Sequence, residues 1–153
     1  MVQPTVTPRL GDELVRVLKL MQAARLRWPG PAPGVDGSAY PILFTLAREP
    51  RRVSDLAETI HSDVSTVSRQ VANLSRSGFV DRTPDPDDGR AQLLSLTESG
   101  RDVVAEARRH RDAWLARLVA DWSEDEVDRL AGLLGRFADS LQHTLSIPKD
   151  PSS

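Results

Sequence analysis

Apolar residues recur every three to four positions along most of the chain, which is the period of an amphipathic α-helix. Proline and glycine separate these periodic segments, and their densest cluster lies at 29–37. The pattern predicts four longer helices, over about 12–28, 39–48, 97–121 and 123–145. The chain is therefore expected to be mainly α-helical.

Residues 54–77 have the pattern of two short helices with a tight connection. Ser54 is expected to cap the first, because its hydroxyl can accept a hydrogen bond from a first-turn N–H. One face of the second carries regularly spaced apolar residues: Val64, Val67, Val71 and Leu74. Its opposite face carries five side chains that can form hydrogen bonds: Ser65, Thr66, Arg69, Gln70 and Asn73. Gly78 is expected to end this helix in the left-handed conformation.

After Gly78 the hydrophobic period changes from that of a helix to the alternation typical of a strand. Residues 79–83 and 91–96 are predicted to be two short strands, and the segment between them, 84–90, is dominated by turn-forming residues. This arrangement predicts a β-hairpin. The expected fold class is mainly α with one small hairpin.

Three other helix starts have capping signatures. Ser38 is expected to cap the helix over 39–48, which places Pro41 in the first turn, where a missing N–H is tolerated. Thr97 is expected to cap the long helix after the hairpin. Ser123 and Glu126 have the spacing of a capping box, in which each residue bonds the main-chain N–H of the other.

The composition limits the chemistry available to the chain. It has no cysteine, which excludes disulfides, thiolate metal sites and cysteine nucleophiles. The histidines His61, His110 and His143 have no spacing that would converge on a metal ion. No phosphate-binding glycine loop or catalytic motif is present. We therefore expect no cofactor, no metal site and no enzymatic activity.

Hydropathy and charge bear on location and partners. The longest charge-free apolar stretch, 39–47, is far shorter than the roughly 18–20 residues of a membrane span, and the N-terminus lacks the apolar core of a secretory signal. The protein is expected in the cytoplasm, with no membrane partner. Its formal net charge of −2 gives no general attraction to nucleic acid, so such binding must depend on where the cations lie.

The two short helices and the hairpin together are typical of a DNA-binding unit. An α-helix fits the major groove of B-DNA, and a preceding helix packed against it can fix its angle. The hairpin can reach the adjacent minor groove, where Arg90 suits the narrow, negative groove of A·T-rich sequence and Asp88 is placed to orient the guanidinium. The alternative is an ordinary helical hairpin whose polar face meets water.

Several segments together form a recognisable signature: Ser65-Thr-Val-Ser-Arg69, Leu74, Gly78-Phe-Val80, Arg82, Pro86, Asp87-Asp-Gly-Arg90 and Leu96-Thr-Glu-Ser-Gly100. In this signature the chain resembles the MarR family of bacterial winged-helix transcriptional regulators over essentially its whole length. The hairpin motif with its trailing Leu-Thr-x-x-Gly is the most specific part. Gly89 departs from the pattern, since the family usually has arginine or another long polar residue there, and Pro41 is unusual so near the middle of the second helix.

The resemblance implies a single domain over 1–153. It implies a winged helix-turn-helix core over about 36–96, dimerisation helices over about 12–30 and 97–147, and a flexible tail at 148–153. Apolar stripes on the first and last helices exceed what the core can cover, which independently favours a two-fold dimer on a pseudo-palindromic double-stranded DNA site. The alternative is a monomer in which the terminal helices pack together.

Site roles follow from the same resemblance. Ser65, Thr66, Arg69 and Gln70 are expected to face base edges or nearby phosphates, with Arg69 matching guanine O6 and N7. A second group, Ser54, Ser62 and Arg76, is expected to position the DNA backbone. For the two serines, capping alone is an equal alternative, and the two roles are compatible; for Arg76 the alternative is a solvated surface position.

Family members often bind small aromatic or phenolic anions between the dimer helices and the winged helix, and this changes the separation of the recognition helices. Candidates to line such a cleft are Arg16, Arg25, Trp28, Tyr40 and His61, each of which has a structural or solvated alternative. The function implied is a homodimeric repressor, with repression taken from the family. The competing hypothesis is a helical dimer or partner-binding module without specific DNA binding.

Overall fold

The computed structural model of the chain describes residues 8–25 and 32–146, with side chains at 8–24 and 32–145. Within these ranges the helices are α1 Pro8–Arg25, α2 Tyr40–Leu46, α3 Val53–Thr59, α4 Val64–Arg76, α5 Glu98–Leu118 and α6 Glu124–Ser146. The strands are β1 Val80–Pro84 and β2 Gln92–Leu96. The predicted fold class, mainly α with a small hairpin, is confirmed. The predicted end of the first helix near 28 and the tail at 148–153 lie outside the described residues.

The described chain divides after Val104 into two compact units. The first contains a hydrophobic core to which α2, α3, α4, both strands and the start of α5 contribute. Its largest fully buried side chains are Ile42, Leu43, Leu56, Leu74, Leu94, Val67 and Val71. Val64 was predicted to pack with the other apolar residues of α4, and this is wrong. It is the first residue of the helix, ahead of the turn that packs, and it is exposed.

The hairpin forms as predicted, with each strand beginning one residue later than expected. β1 and β2 pair antiparallel, with Val80 opposite Leu96 and Pro84 opposite Gln92. A main-chain pair between Arg51 and Leu94 extends the sheet, since each donates its N–H to the carbonyl of the other, at 3.0 and 2.9 Å. The backbone before α3 is thereby joined directly to the hairpin, which serves as the wing of the fold.

Local hydrogen bonds set both ends of α4. Asp63 is the N-cap, because its Oδ1 accepts from the Thr66 N–H at 2.7 Å and from the Ser65 hydroxyl. At the other end Gly78 follows the C-cap with a φ of 78°, which confirms the predicted left-handed glycine. The turn from α3 into α4 contains a second left-handed residue, His61, at φ 53°.

The N-cap predicted at Ser38 is wrong. Asp36 caps a single 3-10 turn, Gly37–Ala39, by accepting the Ser38 N–H at 2.7 Å, and α2 begins only at Tyr40. Asp36 has the extended backbone that a capping residue needs, with φ −72° and ψ 136°. Pro41 is the second residue of α2 and lies in its first turn, as expected, where a missing N–H is tolerated.

The N-cap predicted at Ser54 is also wrong. Helix α3 starts at Val53, so Ser54 already lies inside the first turn, where its hydroxyl faces Asp55 Oδ1 at 3.4 Å. Arg52 holds the extended capping position, with φ −75° and ψ 158°, and makes no side-chain cap. Its guanidinium instead donates to Asp85 in the hairpin.

The caps predicted at Thr97 and Ser123 are confirmed. Thr97 Oγ1 accepts the Gly100 N–H at 3.0 Å at the start of α5. Ser123 donates its N–H to Glu126 Oε2 at 2.8 Å and accepts the Glu126 N–H on Oγ at 3.3 Å, which is a reciprocal capping box. Bonds from the main chain and hydroxyl of Ser123 hold the pKa of the Glu126 carboxyl below its ordinary value.

Helices α1 and α6 carry the predicted apolar stripes, and in the single chain these stripes face solvent. On α1 they comprise Leu10, Leu14, Val17, Leu18 and Met21. On α6 they comprise Leu130, Leu134, Phe137, Leu141 and Leu145. Among the helices that the structure describes, none is both long and apolar enough to cross a membrane.

Candidate nucleic-acid interface

Helix α4 turns a polar edge to solvent because its apolar residues are taken up by the core. Val67 and Val71 are fully buried on one side, whereas Ser65, Arg69 and Asn73 are exposed on the other. Residues four positions apart on a helix lie above one another on the same face. The three polar side chains therefore form a continuous edge about two turns long.

Arg69 occupies the middle of this edge. Its guanidinium is exposed and has no protein partner within the described parts of the chain. All its donors are therefore available to a ligand. The planar fork suits guanine O6 and N7 or a phosphate oxygen pair.

Ser65 and Thr66 are partly engaged by the start of α4. The Ser65 hydroxyl donates to the Asp63 carboxylate. Thr66 is half-buried, and its main-chain N–H donates to the same carboxylate. These bonds hold the pKa of Asp63 far below its usual range, with the Ser65 hydroxyl making the largest contribution. Because its proton is committed, Ser65 can only accept a hydrogen bond from DNA.

Gln70 lies beside the exposed edge and is half-buried. Its Nε2 donates to the Ser38 hydroxyl oxygen at 2.8 Å. This contact joins the turn before α2 to α4, the helix expected to enter the major groove and called the recognition helix below. Gln70, Arg69 and Asn73 also line a cleft of about 170 Å³ together with Asp36 and Ser38.

The residues expected to position the DNA backbone lie around α3 and α4. Ser54 is exposed in the first turn of α3, and Ser62 is half-buried in the turn before α4, with its N–H on the Ala57 carbonyl at 2.9 Å. Arg76 is exposed in the last turn of α4 and donates to Asn73 Oδ1. Arg52 and Asp63 hold the N-cap positions of α3 and α4, so the capping alternative considered for Ser54 and Ser62 is wrong. Phosphate contact by these two serines and by Arg76 stays a prediction.

The turn of the wing is organised by a buried carboxylate, Asp85. Its Oδ1 accepts the N–H of Asp87 at 2.8 Å and of Asp88 at 3.3 Å, and Oδ2 accepts from Arg52 Nε at 2.6 Å. The hydrogen bond from Arg52 is the main cause that lowers the pKa of Asp85 from its ordinary value. The carboxylate therefore closes the turn and attaches it to Arg52, the residue just before α3.

Arg90 lies on the exposed far side of this turn, as expected of a residue that reaches a groove. The bond expected between the Asp88 carboxylate and the Arg90 guanidinium is not the one formed. Asp88 Oδ1 instead accepts the main-chain N–H of Arg90 at 3.1 Å. A turn places main-chain donors two residues away within easy reach of an aspartate, so Asp88 shapes the loop and leaves the guanidinium to solvent.

Comparison with known proteins agrees with this geometry. The sequence profile of the MarR family matches residues 34–91, which contain α2 to α4 and most of the wing. The HTH-type transcriptional regulator Mb0904 of Mycobacterium bovis is 39% identical over 125 residues, covering 80% of this chain and 85% of that protein. The chain belongs to the MarR family.

Solved structures of similar fold extend the comparison. The PcaV transcriptional regulator of Streptomyces coelicolor, crystallised with its natural ligand, is 28% identical with a TM-score of 0.63, over 92% of this chain and 98% of that one. RV1404 of Mycobacterium tuberculosis is 25% identical with a TM-score of 0.71, over 91% and 95%. As a MarR-family protein, the chain is a DNA-binding transcriptional regulator with a winged helix-turn-helix.

Three residues that organise this MarR-family interface were not predicted from the sequence. Asp63 caps the recognition helix, and Arg52 and Asp85 join the wing to α3. The position of Asp63 just before the periodic run was a usable capping signal. The other two are 33 residues apart, and nothing in the local sequence indicates that they pair.

Within the described parts of the chain, no hydrogen bond or ion pair joins two of the candidate effector residues. Arg16 is exposed on α1, where it pairs with Glu13 at 3.3 Å, and His61 is exposed in the turn before α4. Tyr40 is half-buried and its hydroxyl accepts the Ala32 N–H at 3.1 Å. The Arg25 side chain and Trp28 lie outside the described residues. The cleft beside α4 is lined by none of the five.

Proposed function

We propose that this chain is a homodimeric repressor that binds a pseudo-palindromic operator and is released by a small aromatic or phenolic anion. The observation that carries the proposal is the apolar stripe of α6. Leu134 is 57% exposed and Leu145 60% exposed in the single chain, although both have large side chains. A continuous row of such residues is typical of a protein interface.

A second copy of the chain is the occupant that the stripe fits best. An apolar row on one long helix can pack against the same row of a copy across a two-fold axis, so that one surface serves both sides of the interface. Helix α1 offers a further stripe, on which Leu18 is 59% exposed. Burial of apolar area contributes roughly 25 cal/mol per Å², so two such helices provide a large stabilisation.

The two-fold axis determines what such a dimer reads. Each copy contributes one α4 with Arg69 on its exposed edge, and a symmetric pair fits half-sites about one helical turn apart. The preferred operator is therefore an inverted repeat. A dimer bound across a promoter represses by occupying the site that RNA polymerase needs, and this activity would place the protein in the bacterial cytoplasm.

Release of DNA by a small ligand is proposed from a structurally similar protein, PcaV. PcaV was crystallised with a natural ligand, and its fold covers most of this chain. A ligand releases DNA only if it binds one spacing of the recognition helices better than the other. Arg16, Tyr40 and His61 are the described candidates to contact such an anion, with Arg25 and Trp28 as further candidates from the sequence.

The proposal is tested with the purified full chain and the DNA that flanks its gene. Sedimentation equilibrium should show a dimer, and fluorescence anisotropy should show specific binding that weakens steeply as salt rises, because phosphate contacts release counterions. Arg69→Ala should lose about 1–3 kcal/mol of discrimination at one base pair per half-site. Benzoates and phenols are then screened for release of the DNA. A monomer that binds all duplexes equally would contradict the proposal.

A further inference from the structure

Three polar side chains connect the turn before α2 to the recognition helix. Gln70 Nε2 donates to Ser38 Oγ at 2.8 Å, and Ser38 Oγ donates to Asp36 Oδ1 at 2.5 Å. The same oxygen of Asp36 accepts the Ser38 N–H at 2.7 Å. Gln70 and Ser38 are 32 residues apart in sequence, so the contact is made by the tertiary fold.

The chemistry of these groups fixes the direction of each hydrogen bond. An ionised carboxylate can only accept, and the hydroxyl and N–H of Ser38 hold the pKa of Asp36 below its ordinary value. Ser38 has a single hydroxyl proton, which is committed to Asp36. Towards Gln70 the serine oxygen can therefore only accept, so Gln70 must turn its NH₂ group and not its carbonyl towards Ser38.

The orientation of the amide decides what Gln70 offers to DNA. One N–H is engaged by Ser38, and within residues 8–25 and 32–146 no donor reaches the Gln70 carbonyl oxygen. What is left is one acceptor, the carbonyl oxygen, and one donor, the second N–H, on the same amide group. Adenine presents the complementary pair in the major groove, an N6 donor beside an N7 acceptor, whereas guanine presents two acceptors.

We propose that the Asp36–Ser38 pair orients the Gln70 amide so that this residue selects adenine at one base pair of each half-site. Ser38 and Asp36 are positioning residues, since they act on DNA through Gln70. Their location supports the role, because both line the same cleft as Gln70 and Arg69. The inference rests on the proposed sequence-specific function and adds which base Gln70 reads and what sets its preference.

The test is selection of duplexes from a randomised library by the full chain, followed by sequencing. The wild type should enrich an inverted repeat with one adenine per half-site whose preference depends on Gln70. Gln70→Ala should lower that preference by roughly 5- to 150-fold, the range of a good bidentate contact. Ser38→Ala should lower it at the same position and at no other, by about threefold or more. The double variant with both changes should have the same adenine preference as Gln70→Ala alone.

A matched control is Ser99→Ala, which removes an exposed serine on α5 and should leave the selected sequences unchanged. If Ser38→Ala fails to fold, Asp36→Asn makes the same test. The asparagine NH₂ group can donate to the Ser38 oxygen, which leaves the Ser38 hydroxyl proton free to turn towards Gln70. The adenine preference should then fall at the same position. A Ser38→Ala profile equal to wild type, or weakened evenly at all positions, overturns the inference alone. A wild type that enriches no sequence overturns the proposed function and the inference with it.

Discussion

Arg52 Nε lies 2.6 Å from Asp85 Oδ2 and joins the residue before α3 to the residue after β1. Asp85 is only 6% exposed, and its second oxygen accepts two main-chain N–H groups of the wing turn. The wing is therefore held to the helix-turn-helix at its turn, by this ion pair, and along β2, by the main-chain pair between Arg51 and Leu94.

The Arg52–Asp85 pair should make stability depend on pH. The pKa of Asp85 is lowered in the folded protein, mainly by the Arg52 hydrogen bond. The ionised carboxylate therefore contributes its full stabilisation above the pKa of aspartate in the unfolded chain, about 3.9. This stabilisation is lost as the pH falls through the lower pKa of the folded protein. We expect Asp85→Asn to lower the urea midpoint at neutral pH and to differ less from wild type below about pH 4.

The control for this titration is the same Asp85→Asn change made in an Arg52→Gln background. Without the guanidinium, the substitution should have a smaller effect that varies less with pH. An Asp85→Asn effect of the same size at all pH values would show that the ion pair does not stabilise the fold.

Arg90 should contribute affinity through the groove flanking each half-site. Its guanidinium projects from the exposed wing turn, and Asp88 bonds only its main chain. We expect Arg90→Ala to weaken binding most on operators with A·T-rich flanks, where the minor groove is narrow and negative. Anisotropy titrations on operators that differ only in their flanks measure this. Equal affinity of wild type and variant on every flank would contradict the wing assignment.

Gly100 should be required for packing and not for its backbone freedom. A Cβ at this position would lie 2.2 Å from the Phe79 carbonyl oxygen, because the first turn of α5 passes directly over the start of the wing. Gly100→Ala should destabilise the protein by about 1–3 kcal/mol or more, measured by urea unfolding. Gly132→Ala on α6 is the matched control, since no described atom lies within 4 Å of its Cβ, and it should be neutral or stabilising by up to about 1 kcal/mol. Equal effects of the two changes would contradict this explanation.

Leu134 should be central to the dimer. Replacing it by aspartate puts a charge into the apolar stripe of α6, and we expect the dimer dissociation constant to rise by roughly 30-fold or more. Arg136→Asp introduces the same residue on α6 away from the stripe, and this change should leave the dimer dissociation constant nearly unchanged. Sedimentation equilibrium of both variants decides the matter, and an unaltered Leu134→Asp dimer would place the interface elsewhere.

Features predicted from the sequence were those set by neighbouring residues. The hairpin, the left-handed Gly78 and the Ser123 capping box each depend on a few consecutive positions, and each formed as expected. The two N-caps predicted wrongly lie where the extended residue comes earlier than expected. Asp36, two residues before Ser38, is extended and accepts the Ser38 N–H, and Arg52, two residues before Ser54, is extended without a side-chain cap. Tertiary packing decides which residue takes the extended conformation.

Within the candidate site, the residue types on α4 were predictable and their bonding was not. The apolar period fixes which side chains face outward, so the exposed positions of Arg69 and Asn73 follow from the sequence. The contact of Gln70 with Ser38 and that of Arg52 with Asp85 join segments more than 30 residues apart. Such pairs depend on how helices and hairpin pack, which local periodicity does not specify.

In the proposed complex, two copies of the chain each place α4 in one of two successive major grooves with the wing beside it. Hydroxyl-radical footprinting of the wild type and Arg90→Ala on the selected operator tests it most directly. We expect two symmetric protected regions about one helical turn apart, with flanking minor-groove protection that Arg90→Ala removes. A single asymmetric protected region, or uniform protection along the duplex, would contradict it.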